Sequence, residues 1–372
     1  MRVRRFVTVL IMVMLAGVIA GQAGADSIAW QRWKHLQHGV ALSGWFSESG
    51  NYSMQQLRAF TTPADLEHIH QLGFDHVRIP IDPVIFDCNG EWNACEKIQF
   101  LDQVMQKAIA NDLDVIVDFH PNPQYTHQII GSEQAAEKYF RLWAKIADHY
   151  GKMDSDHIIL EVMNEISAPE EYSWFGTLEE SIRVIRKHAP KSTLLVQGAN
   201  YSDIPDLIRL PRLSDPNLIY DFHYYEPHIF THQGATWGLE WWTDLRNLPF
   251  PPTEEGISEA IEAEDDPAVK WKLHQYLEDY RRPDRIEGDI EFIARWAKER
   301  NVPLICDEFG AYRNFSKPED RERWITMVRT AFEANQIGWT AWDYQGGFGV
   351  VFKENGTLRD DEVTLRGLGL RK

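Results

Sequence analysis

The sequence predicts an α/β fold, a single (β/α)8 TIM barrel of eight parallel strands surrounded by helices. Eight short runs rich in valine and isoleucine recur along the 372 residues, and they are hydrophobic almost throughout, as in parallel strands that are covered on both faces. Amphipathic helical segments separate most of these runs, and this alternation, repeated eight times, is typical of the barrel. The predicted strands are 39–46, 75–81, 114–120, 157–164, 193–198, 218–224, 302–308 and 338–343.

The segments between the strands predict helices and one enlarged loop. A helix is expected over 135–150 with Gly151 as its C-terminal stop, and Ser316 to Glu319 has the pattern of a capping box that begins another helix. The loop after the sixth strand, 225–285, is long enough to carry its own structure, with a further helix expected over 268–279. A doubly wound open sheet is the alternative fold, but the glycine-rich turn expected after its first strand is missing.

The first 25 residues predict a secretory signal. Three arginines precede an apolar run over 6–20, and Ala23-Gly24-Ala25 provides a cleavage pattern that ends at Ala25. A membrane anchor is the alternative, but a spanning helix needs about 20 apolar residues. Residues 26–372 then form one catalytic barrel that is secreted or periplasmic, with no membrane partner after cleavage.

Composition and charge restrict the partners. The chain is 44% apolar and 25% charged, as in ordinary globular proteins, and its formal net charge is −18. Without residues 1–25, which hold three arginines and no acid, the charge is 35 − 56 = −21. A field of this sign repels phosphate, which argues against nucleic acid or an anionic membrane as a partner. With no partner-binding helix recognised, a monomer is expected.

The three cysteines have two predicted roles. Cys88 and Cys95 lie in one short loop, where an oxidising compartment permits a disulfide. A metal site is the alternative, but no further ligand follows at zinc spacing. Cys306 lies in an apolar run and is expected to be a buried thiol.

Polar residues occur at the ends of several predicted strands, where the active site of a barrel lies. Each one alone is compatible with a structural ion pair, but burying them together is costly unless they are paired for a purpose. The residues are Arg78, Asp118, His120, Asn164, Glu165, His223, Tyr225, Asp307, Glu308, Trp342 and Asp343.

Glu165 and Glu308 suggest glycoside hydrolysis. They end strands four and seven and are expected to face each other across the mouth, where one carboxyl would donate a proton and the other would attack the anomeric carbon. Sugar rings stack on aromatic side chains, so tryptophans near strand ends are expected along a cleft. Those tryptophans are Trp45, Trp237, Trp241, Trp242 and Trp342, whereas Trp143, Trp296 and Trp324 are expected in the core.

Six motifs, in order along nearly all of the chain after residue 25, resemble glycoside hydrolase family 5, the cellulase family. They are GVALSGWF at 39–46, VRIP at 77–80, VDFH at 117–120, MNE at 163–165, HYYEP at 223–227 and DEFG at 307–310.

The resemblance implies roles for the polar residues. Glu165 is implied to be the general acid/base and Glu308 the nucleophile. The other residues are implied to bind or orient: Asn164 at the 2-hydroxyl, Arg78 and Tyr225 at the nucleophile, His223 near the acid/base, His120 at the same sugar and Trp342 as its stacking platform.

The expected activity is therefore that of an exported, retaining endo-β-1,4-glucanase that acts on β-glucan polysaccharide without metal or organic cofactor. One alternative is the same mechanism on mannan, xyloglucan, xylan or β-1,3-glucan. A second alternative is a metal-dependent barrel hydrolase, suggested by the pairs Asp118/His120 and Asp221/His223. A third is a barrel that binds carbohydrate without cleaving it.

Overall fold

A computed structural model describes residues 27–88, 91–168, 171–282, 284–354 and 357–371. The predicted signal at 1–25 lies outside these described residues.

Eight parallel strands close into a barrel in sequence order, and the last strand pairs with the first. The predicted barrel fold is confirmed, and each of the eight predicted runs contains one of these strands. The strands are β1 His38–Ala41, β2 His76–Ile81, β3 Asp114–Phe119, β4 Ile158–Glu161, β5 Leu194–Val196, β6 Leu218–Tyr224, β7 Leu304–Phe309 and β8 Gly338–Ala341.

Helices surround the barrel and fill its connections. They are α1 Ile28–Trp33, α2 Met54–Phe60, α3 Pro63–Leu72, α4 Glu96–Ile109, α5 Pro123–Gly131, α6 Glu133–Met153, α7 Glu171–His188, α8 Ile204–Arg209, α9 His228–Thr231, α10 Glu254–Ala263, α11 Pro267–Tyr280, α12 Asp284–Arg300, α13 Pro318–Ala334 and α14 Glu362–Gly367. Short 3-10 turns occur at Pro83–Phe86, Trp92–Ala94 and Glu240–Trp242.

The apolar core has two parts. Side chains between the strands and the surrounding helices form the larger part, and the predicted core residues Trp143, Trp296 and Trp324 belong to it. The smaller part closes the base of the barrel, where Trp33 of α1 donates an indole hydrogen bond of 2.7 Å to the carbonyl of Leu304. Inward-facing residues near the N-terminal ends of five strands pack in this layer: Ile116, Ile159, Leu195, Ile219 and Ile305.

Two predicted helix boundaries are wrong. Gly151 lies inside α6, which continues to Met153. A Cβ at Gly151 would lie 2.4 Å from that of Ala189, so the glycine permits close packing and does not end the helix. The capping box before α13 is absent because Lys317 is the N-cap and the hydroxyl of Ser316 donates instead to the carbonyl of Tyr312 at 2.7 Å.

The long segment after β6 is built as expected, from α9, a 3-10 turn, α10 and α11, and the predicted helix 268–279 corresponds to α11. Polar contacts fix it: the Gln233 side chain accepts a hydrogen bond from the backbone N–H of Leu248 at 2.8 Å, and Tyr276 donates to the carbonyl of Pro249 at 2.6 Å. An antiparallel hairpin of β9 Val351–Glu354 and β10 Thr357–Asp360 follows β8 and was not predicted.

The cysteines are placed as predicted. Cys88 and Cys95 form a disulfide in the loop between β2 and α4, and Cys306 is a buried free thiol on β7. None of the helices in the described parts of the chain combines the length and the apolar character that crossing a membrane requires.

Candidate active site

Arg78 lies at the centre of the barrel mouth. Its side chain is fully buried on β2. The guanidinium donates from Nε and Nη2 to Glu161 at 2.7 Å each, and from Nη1 to Glu308 at 2.6 Å. Nη2 also lies 2.9 Å from Asp118 and donates to the Asn164 amide oxygen at 2.8 Å. One cation therefore organises carboxylates from three strands.

Glu308 is held on both oxygens at the end of β7. Oε1 accepts from Arg78, and Oε2 accepts from the hydroxyl of Tyr225 at 2.9 Å. Nδ1 of His223 lies 3.5 Å from Oε2. Burial raises the pKa of Glu308, and the positive charges of His223 and Arg78 oppose part of that rise. The result is a fixed carboxyl with 4% of the residue exposed.

Glu165 follows β4 and is less constrained. Its φ is +42°, an uncommon conformation for a residue with a side chain, and 34% of its side chain is exposed. Nδ1 of His223 donates to its Oε1 at 2.9 Å. Burial acts to raise the pKa of Glu165, but the hydrogen bond and charge of His223 outweigh it and leave this pKa below its usual value. Water reaches Glu165 while Glu308 is enclosed.

The two predicted carboxylates meet across the mouth. One oxygen of Glu165, one of Glu308 and a ring nitrogen of His223 all lie within 4.8 Å of one another. This separation is closer to the carboxyl spacing of about 5 to 5.5 Å in retaining glycosidases than to the about 6.5 to 9.5 Å of inverting ones.

A second group of predicted residues lies beside this pair. Nδ1 of His120 contacts Asp118 at 2.7 Å, and its ring lies nearly parallel to that of Trp342, with centroids 5.9 Å apart. Burial alone would lower the pKa of His120, but the charge of Asp118 raises it to about 9. Nε2 of His120 lies 3.4 Å from the amide nitrogen of Asn164. Trp342 is half-buried.

The structure corrects part of the predicted aromatic cleft. Trp45 is 1% exposed and donates its indole N–H to the carbonyl of Leu57 at 2.6 Å, so it cannot stack on a sugar and that prediction is wrong. Trp242 is also buried, against His232. Trp237 is 46% exposed.

Trp237 is linked to the site through one intervening ring. Its centroid lies 6.2 Å from that of Phe348, which in turn lies 6.0 Å from Tyr225.

Two site residues were not predicted. Glu161 is the last residue of β4 and receives two hydrogen bonds from Arg78, and a charged residue inside an apolar run was the signal that could have identified it. Glu48 lies in the loop after β1 with φ +51°, and its Oε1 is 3.9 Å from Nε2 of His120. The loop sequence around Glu48 carries no comparable signal.

The site does not favour a divalent metal. Glu165, His223 and Glu308 are the group of described residues whose ligand atoms converge. However, Glu308 already pairs with the Arg78 guanidinium at 2.6 Å, and a second cation there would be repelled. Asp118, from the metal-hydrolase alternative, is likewise paired with Arg78 and His120.

Comparisons with known proteins identify the family of the chain. The cellulase family, glycosyl hydrolase family 5, matches residues 37–347. The chain is 26% identical over 317 residues to Endoglucanase C of Acetivibrio thermocellus, covering 82% of this chain and 90% of that one. It is 32% identical over 345 residues to Cellodextrinase A of Ruminococcus flavefaciens, covering 88% and 91%.

A solved structure has the same fold. The crystal structure of endoglucanase Cel5A from Thermotoga maritima superposes with a TM-score of 0.70 at 25% identity, covering 91% of this chain and 98% of that one. The family match spans most of the chain and includes Arg78, Glu165 and Glu308. The chain belongs to glycosyl hydrolase family 5, and it is a glycoside hydrolase.

Proposed function

We propose that this glycoside hydrolase is a retaining endo-β-1,4-glucanase. The observation that carries the mechanism is the spacing of the pair, with oxygens of Glu165 and Glu308 within 4.8 Å. The space between such carboxyls suits direct attack on the anomeric carbon and does not leave room for an intervening water. The substrate class is supported by relatives that bear the names endoglucanase and cellodextrinase.

Constraint and exposure support the roles of the two carboxylates. A nucleophile must stay in line with the anomeric carbon, and Glu308 is held by Arg78 and Tyr225. An acid/base must exchange protons with water between steps, and the side chain of Glu165 is 34% exposed.

The double displacement then follows. Glu308 attacks the anomeric carbon while Glu165 gives its proton to the departing sugar oxygen, and a glycosyl ester forms on Glu308. Glu165, now a base, removes a proton from water, which attacks the same carbon and releases Glu308.

Substrate binding has to change the protonation of Glu165. In the unliganded protein, the hydrogen bond from His223 lowers the pKa of Glu165, whereas an acid must be protonated at the first step. A bound glycan excludes water from the exposed third of this side chain, and desolvation raises a carboxyl pKa. The glycosidic oxygen then supplies the acceptor for the proton.

The proposed binding surface combines polar and aromatic groups. His120 and Asn164 lie beside the half-buried ring of Trp342, where a sugar face can stack while its hydroxyls meet polar atoms. Trp237 offers a second platform beyond Phe348. We also propose export, because the predicted signal at 1–25 precedes the barrel, and the monomer remains a prediction.

The test of reaction and substrate is one set of incubations. The protein is incubated in parallel with carboxymethyl cellulose, barley β-glucan, mannan, xyloglucan, xylan and laminarin. Proton NMR follows the anomeric configuration of the first product. We expect the fastest cleavage on the β-1,4-glucans, with the β configuration formed first. Initial α product would exclude retention, and a preference for another polymer would change the assigned substrate.

The catalytic roles are tested by Glu308→Gln, which keeps the shape and removes the charge. Loss of a nucleophile is expected to lower kcat by about 10,000-fold or more. Glu137→Gln, on the exposed face of α6, is the matched control and should retain full activity. If Glu308→Gln cleaved β-glucan at the parent rate, the chain would be a hydrolase by some other route and Glu308 would not be its nucleophile.

A further inference from the structure

Strand β7 presents two adjacent carboxylates to the barrel interior. Neighbouring residues of a strand normally point to opposite faces. Here the pairing with β6 shifts, so that Cys306 pairs with Phe222, Glu308 pairs with His223, and Asp307 between them has no partner. This bulge lets both Asp307 and Glu308 turn inward, where each contacts Arg78.

The ring of His223 is enclosed by carboxylates on both nitrogens. Nδ1 lies 2.9 Å from Glu165 and 3.5 Å from Glu308. Nε2 lies 3.4 Å from Oδ1 of Asp307. A carboxylate favours a proton on the nitrogen that it faces, so a ring with carboxylates on both sides is held as imidazolium.

The layer of buried side chains around His223, beneath the barrel mouth, includes more acidic than basic groups. Asp221 is the acid that neither hydrogen bonds to another described residue nor lies within 4.0 Å of a described cation. A buried, unpaired carboxylate is costly, so Asp221 is neutral in this layer. The charged and titratable groups around His223 and Asp307 are Arg78, Glu161, Glu165, Asp221, Tyr225, Cys306 and Glu308. Asp118 and His120 lie one contact further away, Asp118 against Arg78 and His120 against Asp118.

We propose that Asp307 is a positioning residue that acts through Nε2 of His223, keeping that ring protonated and its Nδ1–H directed at Glu165 and Glu308. Asp307 does not contact the substrate in this arrangement. Its own charge is compensated by Nε of Arg78 at 3.3 Å, which lets it remain ionised while Asp221 is neutral. The inference rests on the proposed function for the roles of the two glutamates, but the state of His223 is independent of it.

Removing the charge of Asp307 is expected to shift the pH dependence of kcat/KM in one direction. In Asp307→Asn, His223 loses its proton at a lower pH, and above that pH both glutamates lack the neighbouring positive charge. Both then hold their protons to higher pH, so the alkaline limb of the kcat/KM profile moves upward by about 1 to 2 pH units. The direct effect of deleting a negative charge near Glu308 has the opposite sign, so an upward shift can come only through His223.

The experiment combines that profile with NMR of the full-length protein carrying 15N-labelled histidine. His223→Asn assigns the His223 signals among the 14 histidines. At pH 7 and without substrate, the parent is expected to show protons on both ring nitrogens of His223, and Asp307→Asn a single one. Asp221→Asn is the matched control, the same change in the same buried layer, and should leave the signals and the profile unchanged.

The outcomes separate the inference from the proposed function. An unchanged or downward shift in Asp307→Asn, or an equal shift in Asp221→Asn, would overturn the role of Asp307. If Asp307→Asn does not fold, the parent spectrum decides, because a neutral His223 ring at pH 7 contradicts the inference. A protein that fails to cleave β-glucan but shows the imidazolium and its dependence on Asp307 would refute the proposed substrate alone.

Discussion

At the base of the barrel the inward-facing side chains are apolar, as Ile116, Ile219 and Ile305 illustrate, whereas at the mouth the same strands carry buried charge. On β7, for example, Ile305 faces the base layer, and Asp307 and Glu308 face Arg78 two and three residues later. The interior therefore changes from hydrocarbon to an ion-pair network within one strand.

The two layers are stabilised by different physics. Burying an isoleucine is favourable without a specific partner, because the gain follows the apolar area removed from water. The acidic side chains at the mouth lose their hydration when they are buried, which is unfavourable. They are stable there because the positive charge of Arg78 compensates several of them. Stability at the base therefore depends on the apolar area that is buried, whereas stability at the mouth depends on the shared guanidinium of Arg78.

The largest effect is expected when that cation is removed. Arg78→Met leaves Glu161, Asp307 and Glu308 without their shared partner, which should lower the free energy of unfolding by about 3 to 5 kcal/mol. Cleavage should also fall at least 100-fold, because Glu308 loses the contact that orients it. Urea unfolding at pH 7 and kcat/KM measure the two losses.

An exposed arginine is the control for Arg78→Met. Arg141 pairs with Glu137 at 3.2 Å on the surface of α6, with 63% of its side chain exposed, and Arg141→Met should cost less than about 1 kcal/mol. If Arg78→Met were as stable as the parent, the mouth would not depend on this cation, and the contrast between the two layers would fail.

The next effect is at the base and should involve stability alone. Ile219 is fully buried in the base layer, and Ile219→Ala should lower the free energy of unfolding by about 2 to 5 kcal/mol. Ile219→Val removes one methylene and should cost about 0.5 to 1.5 kcal/mol. At a temperature where all forms are folded, kcat/KM should be unchanged. A large loss of kcat/KM in folded Ile219→Val would show that the base also positions the site.

The contrast between the layers also explains what the sequence could predict. The eight strands were predictable because parallel strands are buried on both faces and stand out as apolar runs. Hairpin β9–β10 has no such signal, since Phe352 and Lys353 are only partly buried and every residue of β10 is at least partly exposed. Glu165 and Glu308 were predicted as a facing pair because they end such runs within the motifs MNE and DEFG.

Residues whose role depends on tertiary packing were not predictable. Trp45 ends a strand-like run as a cleft residue would, but its ring packs against Phe46 and Phe100 beneath the surface. Gly151 resembles a helix stop, and only the position of Ala189 shows why a glycine is needed there. Asp307 and Glu308 are adjacent in sequence, and that both face Arg78 depends on a register shift between two strands, which one strand's sequence cannot show.

The smallest expected effect is at Asp114. This residue begins β3 and places a carboxyl at the otherwise apolar base of the barrel. Burial, together with the nearby charge of Asp75, raises its pKa to about 7, although His157 and Arg32 oppose the rise. Because this pKa is higher in the folded protein than in the unfolded chain, the folded state binds the proton more tightly. Stability should therefore fall as pH rises from about 4 to about 7.

Asp114→Asn removes this dependence. At pH 8 the variant should be more stable than the parent by on the order of 1 kcal/mol, and the difference should shrink as pH falls toward 4. Urea unfolding at pH 5 and pH 8 measures it, with Asp112→Asn as the control because that carboxyl is exposed in the preceding turn. A difference between Asp114→Asn and the parent that is the same at both pH values would mean that Asp114 is already ionised at pH 5. In that case the base tolerates a buried charge, and the mouth would not differ from it in kind.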